Sequence, residues 1–196
     1  MQLDYYVSGE LIRTITEECY NDLAIHNGQL FAADVISPAI HIYNCRTWQR
    51  LRTISTPCSN KEHERSLYPH RICVNKTEIA LSCFMQNRIY VLEPHGTLKQ
   101  SHGSEIQIST QSSSPEEVEH STINSKLRKS FICQVDIEGA VLVADAGNRC
   151  MLILTSEKQW RCVTLSDGVI CPIDAVWWKG RLYVATARDN KLTVYE

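Results

Sequence analysis

The chain has 196 residues, 43% hydrophobic and 21% charged, with 20 Lys plus Arg against 22 Asp plus Glu and a net charge of -2. That is enough chain to bury a core, and it is too apolar for a disordered or fibrous protein. Balanced charge argues against a histone-like or tail-driven nucleic-acid binder, and no run of 18 apolar residues is present, so no membrane partner is expected.

The opening segment, MQLDYYVSGELIRTIT, lacks a basic region followed by an apolar run. It does not read as a secretory signal, and a cytoplasmic location is expected. The nine cysteines are odd in number and show no CxxC or zinc-knuckle spacing. Several sit in apolar runs such as RICVNK and FICQV, so they read as reduced thiols rather than a disulfide framework.

From residue 22 onward the chain repeats itself. Four units follow one another: DLAIHNGQLFAADVISPAIHIYNCRTWQRLRTIS, HRICVNKTEIALSCFMQNRIYVLEPHGTLKQS, FICQVDIEGAVLVADAGNRCMLILTSEKQWRCVTLS and IDAVWWKGRLYVATARDNKLTVYE. In each, a strand meets a tight turn at Asn27-Gly28, Asn75-Lys76-Thr77, Glu138-Gly139 or Lys179-Gly180, residue types suited to the positive φ of hairpin turns. A second, continuously apolar strand follows (QLFAAD, EIALSC, AVLVAD, RLYVAT), which predicts burial on both faces. A polar connection then leads to an alternating third strand (IHIYN, RIYVLE, CMLIL, KLTVYE). The first and third units add a fourth strand, QRLRTIS and WRCVTLS, and TLKQS is a weaker counterpart in the second.

Units of this length and make-up predict an all-β fold: a β-propeller of four-stranded antiparallel blades, four of them recognisable. Residues 104–130, rich in Ser, Glu and Thr, read as a loop inserted between blades. The last unit stops at its third strand, while residues 10–16 resemble the fourth strand of the first unit. The N-terminal segment is therefore expected to close the last blade, making 1–196 a single propeller domain.

The stretch AVLVADAGNRCMLIL resembles the core of an NHL repeat, an apolar strand ending in Ala-Asp followed by Asn-Arg before the next strand. RLYVATARDNKLTVYE has Thr186 for the Asp and Asn190-Lys191 for Asn-Arg. EIALSCFMQNRIYVLE keeps Asn87-Arg88 but carries Cys83, and QLFAADVISPAIHIYN keeps Asp34 alone. The chain thus resembles the C-terminal propeller of tripartite-motif NHL proteins. The resemblance implies recruitment of protein or RNA targets, with ubiquitin-ligase activity residing in a separate RING domain. Such propellers usually have six blades, so the four units form either a closed four-bladed ring or part of a larger one.

No catalytic motif is present: no GxSxG, HExxH, P-loop or GxGxxG. No cofactor, metal site or small-molecule substrate is assigned, and the protein is not expected to be an enzyme. Asp34 and Asp145 would be the first ligands of a metal-dependent lyase or lactonase of propeller type, but they read better as acceptors that pin the loop between two strands. Connections between second and third strands emerge on one rim. There Arg88, Arg149, Arg188 and Lys191, with His70 and Arg71 from an adjoining loop, are the candidate residues for binding a protein or peptide. The same basic residues could meet RNA, with Phe84, Tyr20 and Tyr68 as the nearby aromatics. Of Trp177 and Trp178, one is expected to face the core, while Trp48 and Trp160 read as packing at blade edges.

Overall fold

The computed structural model describes residues 3–7, 10–15, 19–34, 36, 39–56, 69–83, 86–103, 106–110, 121–136, 138–163 and 171–196. Phe84, Tyr68, the 61–65 charge cluster and the Ser-rich stretch at 112–117 lie outside them. The hairpin turns form where their chemistry demands. Asn27 and Gly28 sit at successive positive φ values of 48° and 70°, and Lys179 and Gly180 at 49° and 76°. That backbone twist matches the twist of the flanking strands. At the second turn the Asn75 side chain instead accepts the Thr77 N–H at 2.8 Å and the Glu78 N–H at 2.8 Å. The two bonds close an Asx turn.

Blade one is β3 (Tyr20–His26), β4 (Gln29–Asp34), β5 (Ala39–Asn44) and β6 (Arg50–Ser55), antiparallel and in that order. Blade two is β7 (Arg71–Val74), β8 (Ile79–Cys83), β9 (Arg88–Leu92) and β10 (Leu98–His102). TLKQS therefore does supply a fourth strand. Blade three is β13 (Ser130–Val135), β14 (Val141–Asp145), β15 (Cys150–Leu154) and β16 (Trp160–Val163), and blade four is β17 (Pro172–Trp178), β18 (Arg181–Thr186) and β19 (Lys191–Tyr195).

Two expectations about the ends of the blades need correction. The insertion at 104–130 is not all loop. β11 (Ile106–Thr110) and β12 (Ser121–Ser125) form a hairpin, and β11 runs parallel to β16, making blade three a six-stranded sheet. The cause is the short alternation at Ile106 and Ile108. Both are buried with Trp160 despite their polar flanks.

Nor, among the described residues, does the segment expected at 10–16 complete blade four. β2 (Glu10–Ile15) pairs with β1 (Leu3–Val7), and β19 remains an edge of a three-stranded sheet. The Val7–Glu10 pair closes a tight local loop. Its entropic demand is far smaller than that of pairing with a strand at the other end of the chain.

The core consists of blade-to-blade interfaces. Phe31, Ala33, Ile40 and Ile42 of blade one pack on Ile72, Ile79 and Leu81 of blade two. Ala80, Ile89 and Val91 of blade two meet Ile132, Val141 and Val143 of blade three. Leu142, Ala144 and Met151 of blade three meet Ala175, Leu182 and Val184 of blade four. The strand registers make Ile40, Ile89, Met151 and Leu192 equivalent positions. The first three are 0% exposed, whereas Leu192 is 68% exposed. At the other end, Leu23 of blade one is 39% exposed where its counterparts Ile72 and Ile132 are 2%. Among the described residues no core cluster joins blade four to blade one.

One buried ion pair reinforces the contact of blades two and three. Glu78, just before β8, accepts hydrogen bonds from Lys99 Nζ (2.8 Å) in its own blade and Lys158 Nζ (3.2 Å) in blade three. The Asp136–Gly139 turn passes so close that a Cβ on Gly139 would stand 2.9 Å from Glu78 Oε2, at a φ of +89°. Burial pushes the Glu78 carboxyl up, but the two lysine hydrogen bonds outweigh it and hold it below its ordinary value.

Ile40→Ala and Met151→Ala should each lower unfolding free energy by about 2–5 kcal/mol. Leu192→Ala, at the same repeat position, should change it by less than about 0.5 kcal/mol. Urea denaturation reads the difference, and an equal loss at Leu192 would show that a partner face covers blade four. Glu78→Gln should lose about 1–3 kcal/mol at pH 7. Because the folded carboxyl titrates below the unfolded one, the pair's contribution is complete above about pH 4.3 and vanishes as pH falls through the folded value. The gap between wild type and Glu78→Gln should therefore narrow in acid.

Candidate functional site

Pairing within each blade puts the start of the first strand beside the end of the second: Tyr20 opposite Asp34, Arg71 opposite Ser82, Ser130 opposite Asp145 and Pro172 opposite Thr186. The turns between second and third strands therefore share a rim with the beginnings of the innermost strands. Side chains lock these turns. Asp34 Oδ1 accepts the Ile36 N–H at 2.8 Å, and buried Asp145 accepts the Arg128 N–H at 3.0 Å and Asn148 Nδ2 at 2.8 Å. Both aspartates thus serve as loop pins. Asn87 reaches across to blade three, where its Oδ1 accepts the Lys129 N–H at 2.6 Å.

The register corrects the alignment of the Asn-Arg pairs. Cys83, Asp145 and Thr186 pair with Arg88, Cys150 and Lys191, so Asn148-Arg149 lies one residue earlier than Asn87-Arg88. Arg88 and Lys191 are equivalent strand-opening residues. Arg149 instead matches Asn87 and Asn190 in the left-handed region, with φ of 58°, 52° and 50°. Asn adopts that conformation readily and Arg rarely does.

Arg149 and Arg188 are exposed and Arg88 is half-buried. None of the three forms an ion pair among the described residues. Lys191 is exposed and pairs with Asp189 at 3.5 Å.

Of the two remaining candidates, His70 lies in the loop before β7 as expected and Arg71 does not. Arg71 opens β7, the innermost strand of blade two, and faces the channel. Its Nη1 lies 3.6 Å from Asp22 Oδ1 of blade one and 3.8 Å from Asp174 Oδ2 of blade four. The Ile72 N–H (2.8 Å) and the Ala175 N–H (2.9 Å) fix those two carboxylates in turn. His70 is half-buried, and its ring lies tilted at 6.2 Å from that of Phe131. Burial, with help from the Arg71 charge, pushes its imidazole below the ordinary value, so it adds no positive charge at neutral pH.

Sequence reasoning missed the channel carboxylates, although a signal existed. Aligned by register, Asp22, Arg71, Phe131 and Asp174 hold the same place in the four units. The three charged members line a channel cleft of about 340 Å³, together with Cys73 and Cys133. A second cleft, about 380 Å³ and largely apolar, lies between blades three and four and is lined by Leu142, Ile153 and Trp177. Trp177 and Trp178 are both about half exposed, so neither is a core residue. Lys179 Nζ stands 4.3 Å from the Trp178 ring. Trp160 is buried at the start of β16, as expected of a blade-edge residue. Among the described residues no three His, Cys, Asp or Glu side chains gather as a metal site.

Solved structures share this architecture. A protein of unknown function from Bacteroides thetaiotaomicron superposes with a TM-score of 0.61 at 14% identity, over 89% of this chain and 46% of its own. BamB from Moraxella catarrhalis gives 0.58 at 13% identity, over 95% and 48%. Virginiamycin B lyase from Staphylococcus aureus gives 0.58 at 8% identity, over 100% and 59%. The chain is a β-propeller. It spans about half the length of these propellers, and at such identities the likeness concerns the fold alone. No family model and no curated protein matches the chain.

If Arg149 holds its turn against the intrinsic preference of its side chain, Arg149→Asn and Arg149→Gly should keep or slightly raise stability. Arg149→Val should lower it by about 1–2 kcal/mol. Chemical denaturation of the three variants checks this, and an unimpaired Val variant would refute the conformational reading.

Proposed function

We propose that this propeller is a non-catalytic interaction module that binds an acidic segment of a protein partner across the rim bearing Arg88, Arg149 and Arg188. The observation that carries this is the set of three guanidinium groups on one rim, with no carboxylate partner among the described residues, in a chain whose net charge is -2. Guanidinium is weakly hydrated and forked to match a carboxylate, so it suits a peptide carrying Asp or Glu. Side chains tie the rim turns down: Asp34, Asn87 and Asp145 bond to backbone in blades one to three, and Thr186 bonds to Asp189 in blade four.

Kinship with NHL propellers rests on the Asp-pinned turn of blade three. A substrate-recruiting role in a ubiquitin-ligase-type protein rests on that resemblance alone. The protein reading is favoured over RNA because Tyr20 is buried, with its hydroxyl engaged by Tyr43 and His41. It offers no face for base stacking.

Fluorescence anisotropy with a labelled Glu-rich peptide and a single-stranded RNA of equal charge tests the proposal. Combined Arg88→Glu, Arg149→Glu and Arg188→Glu should weaken peptide binding at least about tenfold while leaving the circular dichroism spectrum unchanged. Unchanged peptide affinity would refute the rim. RNA binding in preference to peptide, with a salt slope of roughly 0.7 per neutralised phosphate, would replace protein with RNA as the ligand.

A further inference from the structure

The eight cysteines described are all free thiols, and their surroundings separate them sharply. Burial pushes the Cys73 and Cys83 thiols up to about 12, and Cys133 is raised for the same leading reason. These are unreactive at neutral pH, because the thiolate is the nucleophile. Blade three holds a different arrangement. β15 and β16 pair with Leu152 opposite Cys162, so Cys150, two residues before Leu152, shares a face with Cys162 on the adjacent strand. Cys162 Sγ lies 3.8 Å from the Val163 carbonyl oxygen, and the Cys150 thiol is its neighbour across the ladder. Cys150 is half-buried against the core between blades two and three, while Cys162 is exposed. Cys162 also lies one residue from the end of β16, where the ladder can adjust to a covalent bridge.

We propose that Cys150 and Cys162 form a peroxide-responsive dithiol–disulfide couple, with exposed Cys162 as the attacking thiolate and Cys150 as the resolving thiol. The thiolate sulfur of Cys162 attacks one oxygen of hydrogen peroxide. The O–O bond breaks, hydroxide leaves and takes up a proton to give water, and Cys162 becomes a sulfenic acid. Cys150 sulfur then attacks the sulfenic sulfur, losing its proton as the S–O bond breaks and a second water leaves. Two thiols and one peroxide thus yield one disulfide and two waters.

Electrostatics agrees with this division of labour. The neighbouring Cys150 thiol holds the Cys162 thiol down at about 7 against its partial burial, while Cys162, burial and the Asp145 carboxylate keep Cys150 protonated.

The test is peroxide treatment of the purified protein at pH 7, followed by denaturing alkylation and peptide mapping by mass spectrometry. The expected product is a Cys150–Cys162 disulfide reversed by dithiothreitol. In Cys150→Ser, Cys162 should stop at a sulfenic acid that dimedone traps. The pH midpoint for alkylating Cys162 should be near 7 in the wild type. In Cys150→Ser it should rise toward roughly 8.5. Full alkylation of both residues after peroxide would overturn the proposal. So would a Cys162 midpoint that Cys150→Ser leaves unchanged. Cys162→Ser, which removes only an exposed thiol, should fold normally and leave Cys150 reduced.

Discussion

Everything in this propeller depends on one repeated contact: aliphatic side chains on the leading face of a blade packing on the trailing face of the next. The middle strands are apolar on both faces because each must serve two such interfaces. Phe31 with Leu81, Ala80 with Val143 and Leu142 with Val184 hold equivalent places in the three interfaces between successive blades. Each interface excludes water from residues that a lone four-stranded sheet would leave exposed, so a blade has little reason to be stable by itself.

From that constraint the rest follows. Interfaces fix the spacing of the innermost strands. Their spacing brings Arg71 within ion-pair distance of both Asp22 and Asp174, each drawn from another blade. The rim turns inherit their positions from the same stack, and short polar links tie them down: Asp34 and Asp145 to their own loops, Asn87 to the strand leading into blade three. The turns of blades three and four carry Arg149 and Arg188 exposed. The stack also has two ends. Leu192 and Leu23 stand exposed where their counterparts are sealed, and among the described residues blade four has three strands.

Local features were the legible ones. Turns at Asn27-Gly28 and Lys179-Gly180, the doubly buried middle strands and the loop-pinning role of Asp34 and Asp145 could all be inferred from neighbouring residue types. Features hidden by a one-residue shift were not. Asn148-Arg149 looks like Asn87-Arg88 in letters, yet the shorter offset from Asp145 leaves Arg149 as the last residue of the turn and hands the strand-opening place to Cys150. β11 escaped notice because two isoleucines in a Ser- and Glu-rich stretch make too brief an alternation to stand out.

The amino-acid sequence by itself determined that this is an all-β chain of four repeated units, where most hairpins turn and which strands lie in the middle. Those properties follow from periodicity and from residues that accept positive φ, and both act over a few positions. The tertiary structure alone decided that β2 pairs with β1 instead of closing blade four, and that Arg71 lies between two channel carboxylates instead of on a rim loop. It also decided that Cys150 and Cys162 share a face of adjacent strands and that Leu23 and Leu192 stand exposed at the two ends of the stack. These depend on contacts between residues far apart in the chain, set by strand register and loop-closure entropy, which leave no periodic trace along the sequence.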